Sequence, residues 1–256
     1  MDLQLSGKRA LVTGSTGGIG RAIAAALARE GATVVVNGRT EDGVAAAVEA
    51  IGGTEGLAAD LATEEGTAAA VRRYPELDIL VNNLGIYPEA PFFEESDDTW
   101  RRVLEVNVLS GVRLARHYLG AMLERGSGRV IFIASEAAIA PPADMASYSA
   151  SKAMQLSLSR SLAELTKGSA VTVNTVMPGT TKTGGVVDLV QERFPDLSVD
   201  EAGRRFVREE RATSLIGRLI EPDEIGTFVA YLASPLAGAI NGAALRVDGG
   251  IVRHML

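Results

Sequence analysis

The chain has 256 residues, 46% of them apolar, with 25 basic against 32 acidic side chains and a net charge of −7. That length can bury a large core without staples, and the absence of cysteine excludes disulfides, thiol nucleophiles, Cys-ligated zinc and iron–sulfur clusters. The two histidines, His117 and His254, lie far apart in sequence, so no metal site is expected, and the acidic balance argues against nucleic acid or an anionic membrane as the main partner.

The opening MDLQLSGKRALVTG has scattered charges and an apolar run too short for a signal core, and no stretch approaches roughly 18 uninterrupted apolar residues. A cytoplasmic protein is expected. Seven apolar runs then alternate with helical patterns: Arg9 to Thr13, Ala32 to Asn37, a weak one at Leu57 to Ala59, Asp78 to Asn82, Arg129 to Ile133, Ala170 to Val176 and Ala243 to Val247. Runs such as VVV and VIFI lack polar alternation, which predicts parallel strands covered on both faces. In the first helix Ile19, Ile23, Ala26 and Leu27 recur at helical spacing and Gly31 ends it. A short helix is read at about 63–73, and long ones at about 96–125 and 147–167. With no linker, repeat or compositional break, residues 1–256 read as one doubly wound α/β domain with a seven-stranded, mainly parallel sheet. The least regular stretch, about 180–220, is expected to be an irregular insertion forming a lid.

Glycine is the unusual entry in the composition, with 28 residues. TGSTGGIG, residues 13–20, joins the first strand to the first helix and places Gly14, Gly18 and Gly20 in the spacing GxxxGxG. A Cβ-free backbone lets a pyrophosphate approach the amide N–H groups at a helix N-terminus. The alternative is a tight turn with glycines for conformation alone. The second strand ends Asn37, Gly38, Arg39, Thr40, with no carboxylate before Arg39. A dinucleotide domain without that carboxylate favours NADP over NAD, because a guanidinium binds the 2′-phosphate where an acid would repel it. Against this, Arg39 reads equally as a surface arginine with Thr40 capping the next helix, and Glu41 and Asp42 follow.

Tyr148 and Lys152 in YSASK lie four residues apart and project from one helix face. A neighbouring ammonium favours the phenolate and suits a tyrosine to proton exchange. Ser135, after the strand RVIFIA, sits where open α/β sheets bind ligands and offers a hydroxyl beside Tyr148. The alternatives are a snorkelling lysine and a turn-capping serine.

TGSTGGIG, NNLG (82–85), Asn107 in EVNV, Ser135, YSASK and PGTTKT (178–183), in this order, resemble the short-chain dehydrogenase/reductase family over nearly the whole chain. The resemblance implies a Rossmann-type fold, NADP or alternatively NAD, and hydride transfer between nicotinamide and a carbonyl or secondary alcohol. It implies Tyr148 as general acid/base, Ser135 as the residue orienting the substrate oxygen, Lys152 as the ribose-binding residue that lowers the tyrosine pKa, and Asn107 as holder of a relay water. The alternative for Asn107 is a helix-interior side chain bonding backbone. For the cofactor the resemblance implies Gly14, Ser15, Thr16, Gly18, Ile19, Gly20, Arg39, Asp60, Leu61, Asn82, Gly85, Tyr148, Lys152, Pro178, Gly179, Thr181 and Thr183. For the substrate it implies Ser135, Ala137, Tyr148 and Val186, with walls from residues 86–88, 92–93, 137–142 and 186–194. Phe92 and Phe93 read rather as core or interface.

Three departures stand out: Leu84 in place of a small residue, no basic residue in the glycine loop, and Glu136 directly after Ser135. If Glu136 points inward it disfavours acidic substrates; otherwise it is a solvated glutamate. One alternative activity is 3-oxoacyl-[acyl-carrier-protein] reduction, with Arg125, Arg129 and Lys167 as a docking patch; another class is a non-catalytic dinucleotide-binding redox sensor, and a third is epimerisation or dehydration on the same fold. A homo-oligomer, dimer or tetramer, is implied through the long helices, with Trp100 and the C-terminal GGIVRHML as contributors. Residues Glu94, Glu95, Asp97 and Asp98 read as favourable charge at a helix start capped by Ser96.

Overall fold

The computed structural model describes residues 1–52 and 54–255; Leu256 of the C-terminal segment lies outside the described residues. Seven strands form one sheet in the order β3-β2-β1-β4-β5-β6-β7. They are β1 (Arg9–Val12), β2 (Thr33–Gly38), β3 (Thr54–Ala58), β4 (Ile79–Asn82), β5 (Ser127–Ile133), β6 (Ala170–Pro178) and β7 (Ala244–Val247). Every pairing is parallel, so the expected mainly parallel sheet is wholly so. The order reverses between β1 and β4, and at that switch point the carboxyl ends of the strands open a crevice.

Strand alternation explains why the runs are apolar throughout. Ala10, Val12, Val34, Val36, Ile79, Val81, Ile131 and Ile133 face one core, where they meet α1 (Gly18–Arg29) and α9 (Pro222–Ala233). Their neighbours Leu11, Val35, Leu80, Val130 and Phe132 face the other, against α5 (Ser110–Arg125) and α6 (Ala146–Glu164). Both faces being covered removes the need for polar residues at alternate positions. The remaining helices before α5 are α2 (Glu41–Ile51), α3 (Glu64–Arg73) and α4 (Asp97–Leu104). The hydroxyls of Thr40, Thr63 and Ser96 cap α2, α3 and α4, satisfying N–H groups that the helices leave unpaired.

Between α4 and α5 the chain runs through a π-helical turn, Glu105–Leu109. Asn107 sits in this widened turn, a place where a helix turns a backbone group out of its ladder.

The stretch expected to be irregular is instead a helical hairpin, α7 (Gly184–Arg193) and α8 (Val199–Glu210). Ser198 and Glu201 form a reciprocal capping box at the start of α8, and Val190, Phe194, Ala202, Phe206, Val207 and Leu219 build a small core of their own. The ends of the excursion are pinned: Thr181 bridges Ile220, Lys182 N donates to Ile220 O at 2.8 Å and Ile220 N to Thr180 O at 3.0 Å. Among the described residues no helix is long and apolar enough to cross a membrane.

Candidate active site

The glycine loop is held from two sides. Asn37 at the end of β2 accepts from Gly14 N through Oδ1 at 3.1 Å, and its amide nitrogen donates to Leu57 O and Ala59 O. Asn83 donates from Nδ2 to Thr13 O at 2.8 Å and to Gly14 O at 3.2 Å. Gly14 and Gly18 adopt φ of +60° and +52°, a region a side chain disfavours. A Cβ on Gly20 would lie 2.5 Å from both Asn83 Nδ2 and Gly14 O. The first turn of α1 follows Gly17 with no side-chain cap, so its N–H groups are free to meet an anion.

Several expected cofactor residues also serve the fold through their side chains. Ser15 turns inward: its hydroxyl donates to Val12 O at 2.6 Å and accepts from Asn37 N at 2.9 Å. The side chain of Leu61 is 1% exposed in the core. Thr181 is buried and donates to Gly179 O. Asn82 is buried with both amide atoms unpartnered, whereas Asn83, which sequence reasoning passed over, ties β4 to the loop. Asp60 accepts from Ala62 N at 3.0 Å. Thr16 packs on Gly38, where a Cβ would come within 2.4 Å of its methyl. Arg39 is exposed and forms no ion pair among the described residues.

Across the crevice, Pro178 ends β6 and Gly179 abuts Asp248, leaving no room for a Cβ. Thr183 touches the α1 start at Gly18. Ile19, Pro178, Gly179, Thr181 and Thr183 line the same pocket as Ser135 and Tyr148. Gly85 lies against Lys152 Nζ, 3.4 Å from where its Cβ would be.

Ser135, Tyr148 and Lys152 converge as the motif spacing predicts. Ser135 lies two residues beyond β5 and accepts from Ala137 N at 3.2 Å, so it also caps the turn Glu136–Ala138, as the alternative had it. Lys152 is 4% exposed; its ammonium donates to Ile133 O at 2.8 Å and to Gln155 Oε1 at 3.3 Å and lies 5.6 Å from the Tyr148 ring centre. Burial pulls its pKa down to about 7. Burial pushes the Tyr148 phenol up from its ordinary value, the Ser135 hydroxyl opposes this, and the Glu136 and Tyr87 charges add to it. Desolvation of the phenolate is the largest of these influences, and the Lys152 ammonium is not among them.

Asn107 differs from expectation in detail. Its side chain exchanges hydrogen bonds with the Ile86 backbone and donates to Ser151 Oγ. Its carbonyl accepts from Gln155 Nε2 at 2.5 Å. Gln155 is a buried residue one turn beyond Lys152, and the Asn107 side chain bonds backbone, as the alternative had it.

The substrate side of the pocket is bounded by Tyr87, Ala137, Pro142, Met145, Val186 and Leu189, with Glu136 and Arg211 as charged groups. Tyr87 meets Tyr148 edge-on at 6.5 Å. Phe92 and Phe93 lie outside this lining and are 56% and 98% exposed, so they are not core. Of the expected carrier-docking patch, Arg129 is spent on Ser234, Gly128 and Ala170 carbonyls and Arg125 on Leu77 O. Both lie at the amino ends of the strands, opposite Ser135.

A family model described as short chain dehydrogenase matches residues 8–193. The chain is 57% identical over the whole of both chains to an uncharacterized oxidoreductase, YvaG, of Bacillus subtilis. It is 34% identical to the 3-oxoacyl-[acyl-carrier-protein] reductase FabG of Vibrio harveyi, over 97% of this chain and 99% of the other. The crystal structure of L-sorbose reductase from Gluconobacter frateurii, complexed with NADPH and L-sorbose, superposes with a TM-score of 0.92 at 32% identity, covering 100% of both chains. On this sequence and structural likeness, the chain belongs to the short-chain dehydrogenase family and is an oxidoreductase.

Proposed function

We propose that this chain is an NADP-dependent oxidoreductase that interconverts a mid-sized carbonyl compound and its secondary alcohol, with Tyr148 as general acid/base. The observation that carries this reading is the convergence of Ser135 and Tyr148 on one pocket wall, with a buried Lys152 5.6 Å from the Tyr148 ring centre that has no carboxylate partner among the described residues.

A dinucleotide fits what the chain offers. The uncapped first turn of α1 and the positive-φ glycines leave backbone N–H groups for the pyrophosphate, and the unpaired Arg39 suits a 2′-phosphate. NADPH in the sorbose reductase complex supports the same cofactor here, with NAD the alternative. When bound, the nicotinamide supplies or accepts the hydride.

The chain's own residues handle the oxygen. Ser135 orients the carbonyl oxygen by a hydrogen bond. Burial holds Tyr148 protonated, the form needed to give a proton to that oxygen as negative charge develops. The resulting phenolate is more basic than the Lys152 amine, whose pKa is near 7, so the lysine ammonium is a competent proton source for restoring it. Gln155 fixes that ammonium and the Asn107 carbonyl together. The α7–α8 hairpin, placing Val186 and Leu189 over the pocket, acts as the lid that excludes water.

The apolar walls favour a mid-sized ketone, and the structural use of Arg125 and Arg129 gives carrier-bound thioesters less support. An open apolar groove lined by Leu119 and Leu123 of α5, Leu158 and Leu162 of α6 and Leu165 just beyond it supports a homo-oligomer. An activity screen with NADPH across ketones, keto-sugars and acyl thioesters tests the function: turnover of a ketone is expected. Tight NADPH binding with no turnover of any class would favour the redox sensor instead.

A further inference from the structure

Glu136 is an acidic side chain in direct contact with the proposed chemistry. The Ser135 hydroxyl donates to its Oε2 at 2.6 Å, while Ser135 Oγ accepts from Ala137 N at 3.2 Å. A serine has one proton and two lone pairs. With that proton given to Glu136 and one lone pair taken by Ala137, Ser135 has only an acceptor left for the substrate. An acceptor suits an alcohol, whose O–H donates; it does not suit a carbonyl oxygen, which needs a donor.

We propose that Glu136 is a positioning residue that sets the direction of the Ser135 hydroxyl. Ionised, it takes the Ser135 proton and leaves an acceptor matched to an alcohol. Protonated, its own O–H donates to Ser135 Oγ, and the Ser135 proton is released toward a carbonyl oxygen. One proton is taken from solvent between the two states, and none passes from Glu136 to the substrate. This rests on the reading of Ser135 and Tyr148 given above.

The surroundings of Glu136 are suited to such a change. Apolar walls desolvate the carboxylate and raise its pKa above the ordinary glutamate value, while the Ser135 hydrogen bond and the Arg211 guanidinium pull the other way. The titratable or charged groups facing it are Tyr148 on α6, Tyr87 and Glu89 after β4, Glu210 and Arg211 at the end of α8, and Arg253 and His254 near the C-terminus. Of these, His254 is the imidazole whose contribution must be separated from that of Glu136.

The test compares kcat/KM against pH for ethyl acetoacetate reduction and ethyl 3-hydroxybutanoate oxidation in the wild type, Glu136→Gln and Glu136→Ala. Turning Ser135 away from an ionised Glu136 sacrifices a charge-assisted hydrogen bond, so the variant-to-wild-type ratio for the ketone should rise roughly 10- to 100-fold as Glu136 ionises. For the alcohol the ratio should not rise. His254→Asn should keep the wild-type profile. A second arm needs no substrate: the infrared carbonyl band of a protonated carboxyl should appear on acidification, be missing in Glu136→Gln and shift in Ser135→Ala. A constant ketone ratio at every pH, loss of the effect in His254→Asn, or a carboxyl band indifferent to Ser135 would overturn the proposal. If the ketone ratio stays flat while Tyr148→Phe is inactive, this inference fails and the proposed function stands; full activity of Tyr148→Phe would remove the function reading itself. The infrared arm decides the proposal even if neither ester is turned over.

Discussion

Replacing Lys152 by methionine should remove turnover and at the same time stabilise the protein at neutral pH. The wild-type ammonium is desolvated, and its pKa falls from an ordinary 10.5 to about 7. At pH 7 a shift of that size corresponds to roughly 4 kcal/mol of folding penalty. Methionine has a similar length and no charge, so the penalty disappears. Against this, Ile133 O and Gln155 Oε1 lose their donor, a cost of about 2–3 kcal/mol. The difference leaves about 1–2 kcal/mol in favour of the variant, or roughly 2–8 °C in Tm for a chain of this length. The pH dependence supplies the sign. Between pH 7 and 10.5 the unfolded chain holds the lysine proton and the folded chain has released it, so wild-type stability rises with pH across that window. The variant lacks this rise. Its advantage should be full below about pH 7 and vanish or reverse toward about pH 10. Thermal denaturation of both proteins without cofactor, repeated across this range, makes the measurement. A variant less stable at neutral pH, or one whose stability follows pH in parallel with wild type, would refute the reasoning.

Other consequences follow from the glycine loop and the β2 end. Gly20→Ala forces the Asn83 amide off Thr13 and Gly14; a loss of about 1–3 kcal/mol should appear as a lower Tm together with weaker NADPH binding in fluorescence titration. Arg39→Ala should weaken NADPH roughly 10- to 100-fold, the worth of a charge-assisted contact, and leave NADH nearly unchanged; equal effects on both would show that Arg39 does not read the 2′-phosphate. Light scattering should give a mass of at least twice the 26.8 kDa of one chain, and Leu162→Glu on the groove should lower it.

All seven strands were legible because buried parallel strands are written as short β-branched runs, and only their limits moved by a few residues. The weak run at Leu57 to Ala59 lay near the end of its strand, because β3 is an edge strand with mixed burial. The proposed catalytic trio was legible because Tyr148 and Lys152 share one helix face and Ser135 follows the buried run VIFIA. What stayed hidden depends on tertiary contacts. Asn37 and Asn83 carry no signal of which backbone atoms they will reach. Ser15, Leu61 and Thr181 carry no signal that their side chains turn inward. The α7–α8 hairpin was masked by glycines and charges at its ends, although Ser198 with Glu201 is the spacing of a capping box and could have marked the start of α8. Gln155, one turn beyond Lys152, could have been noticed as a polar residue on a buried helix face.

The central claim is that Tyr148 moves the proton in a carbonyl reduction driven by NADPH. Following NADPH absorbance with a ketone that the wild type turns over, Tyr148→Phe should lose activity by roughly 10²- to 10⁴-fold, the usual worth of a positioned general acid, while its NADPH affinity stays close to wild type. Turnover of the phenylalanine variant at the wild-type rate would contradict the account.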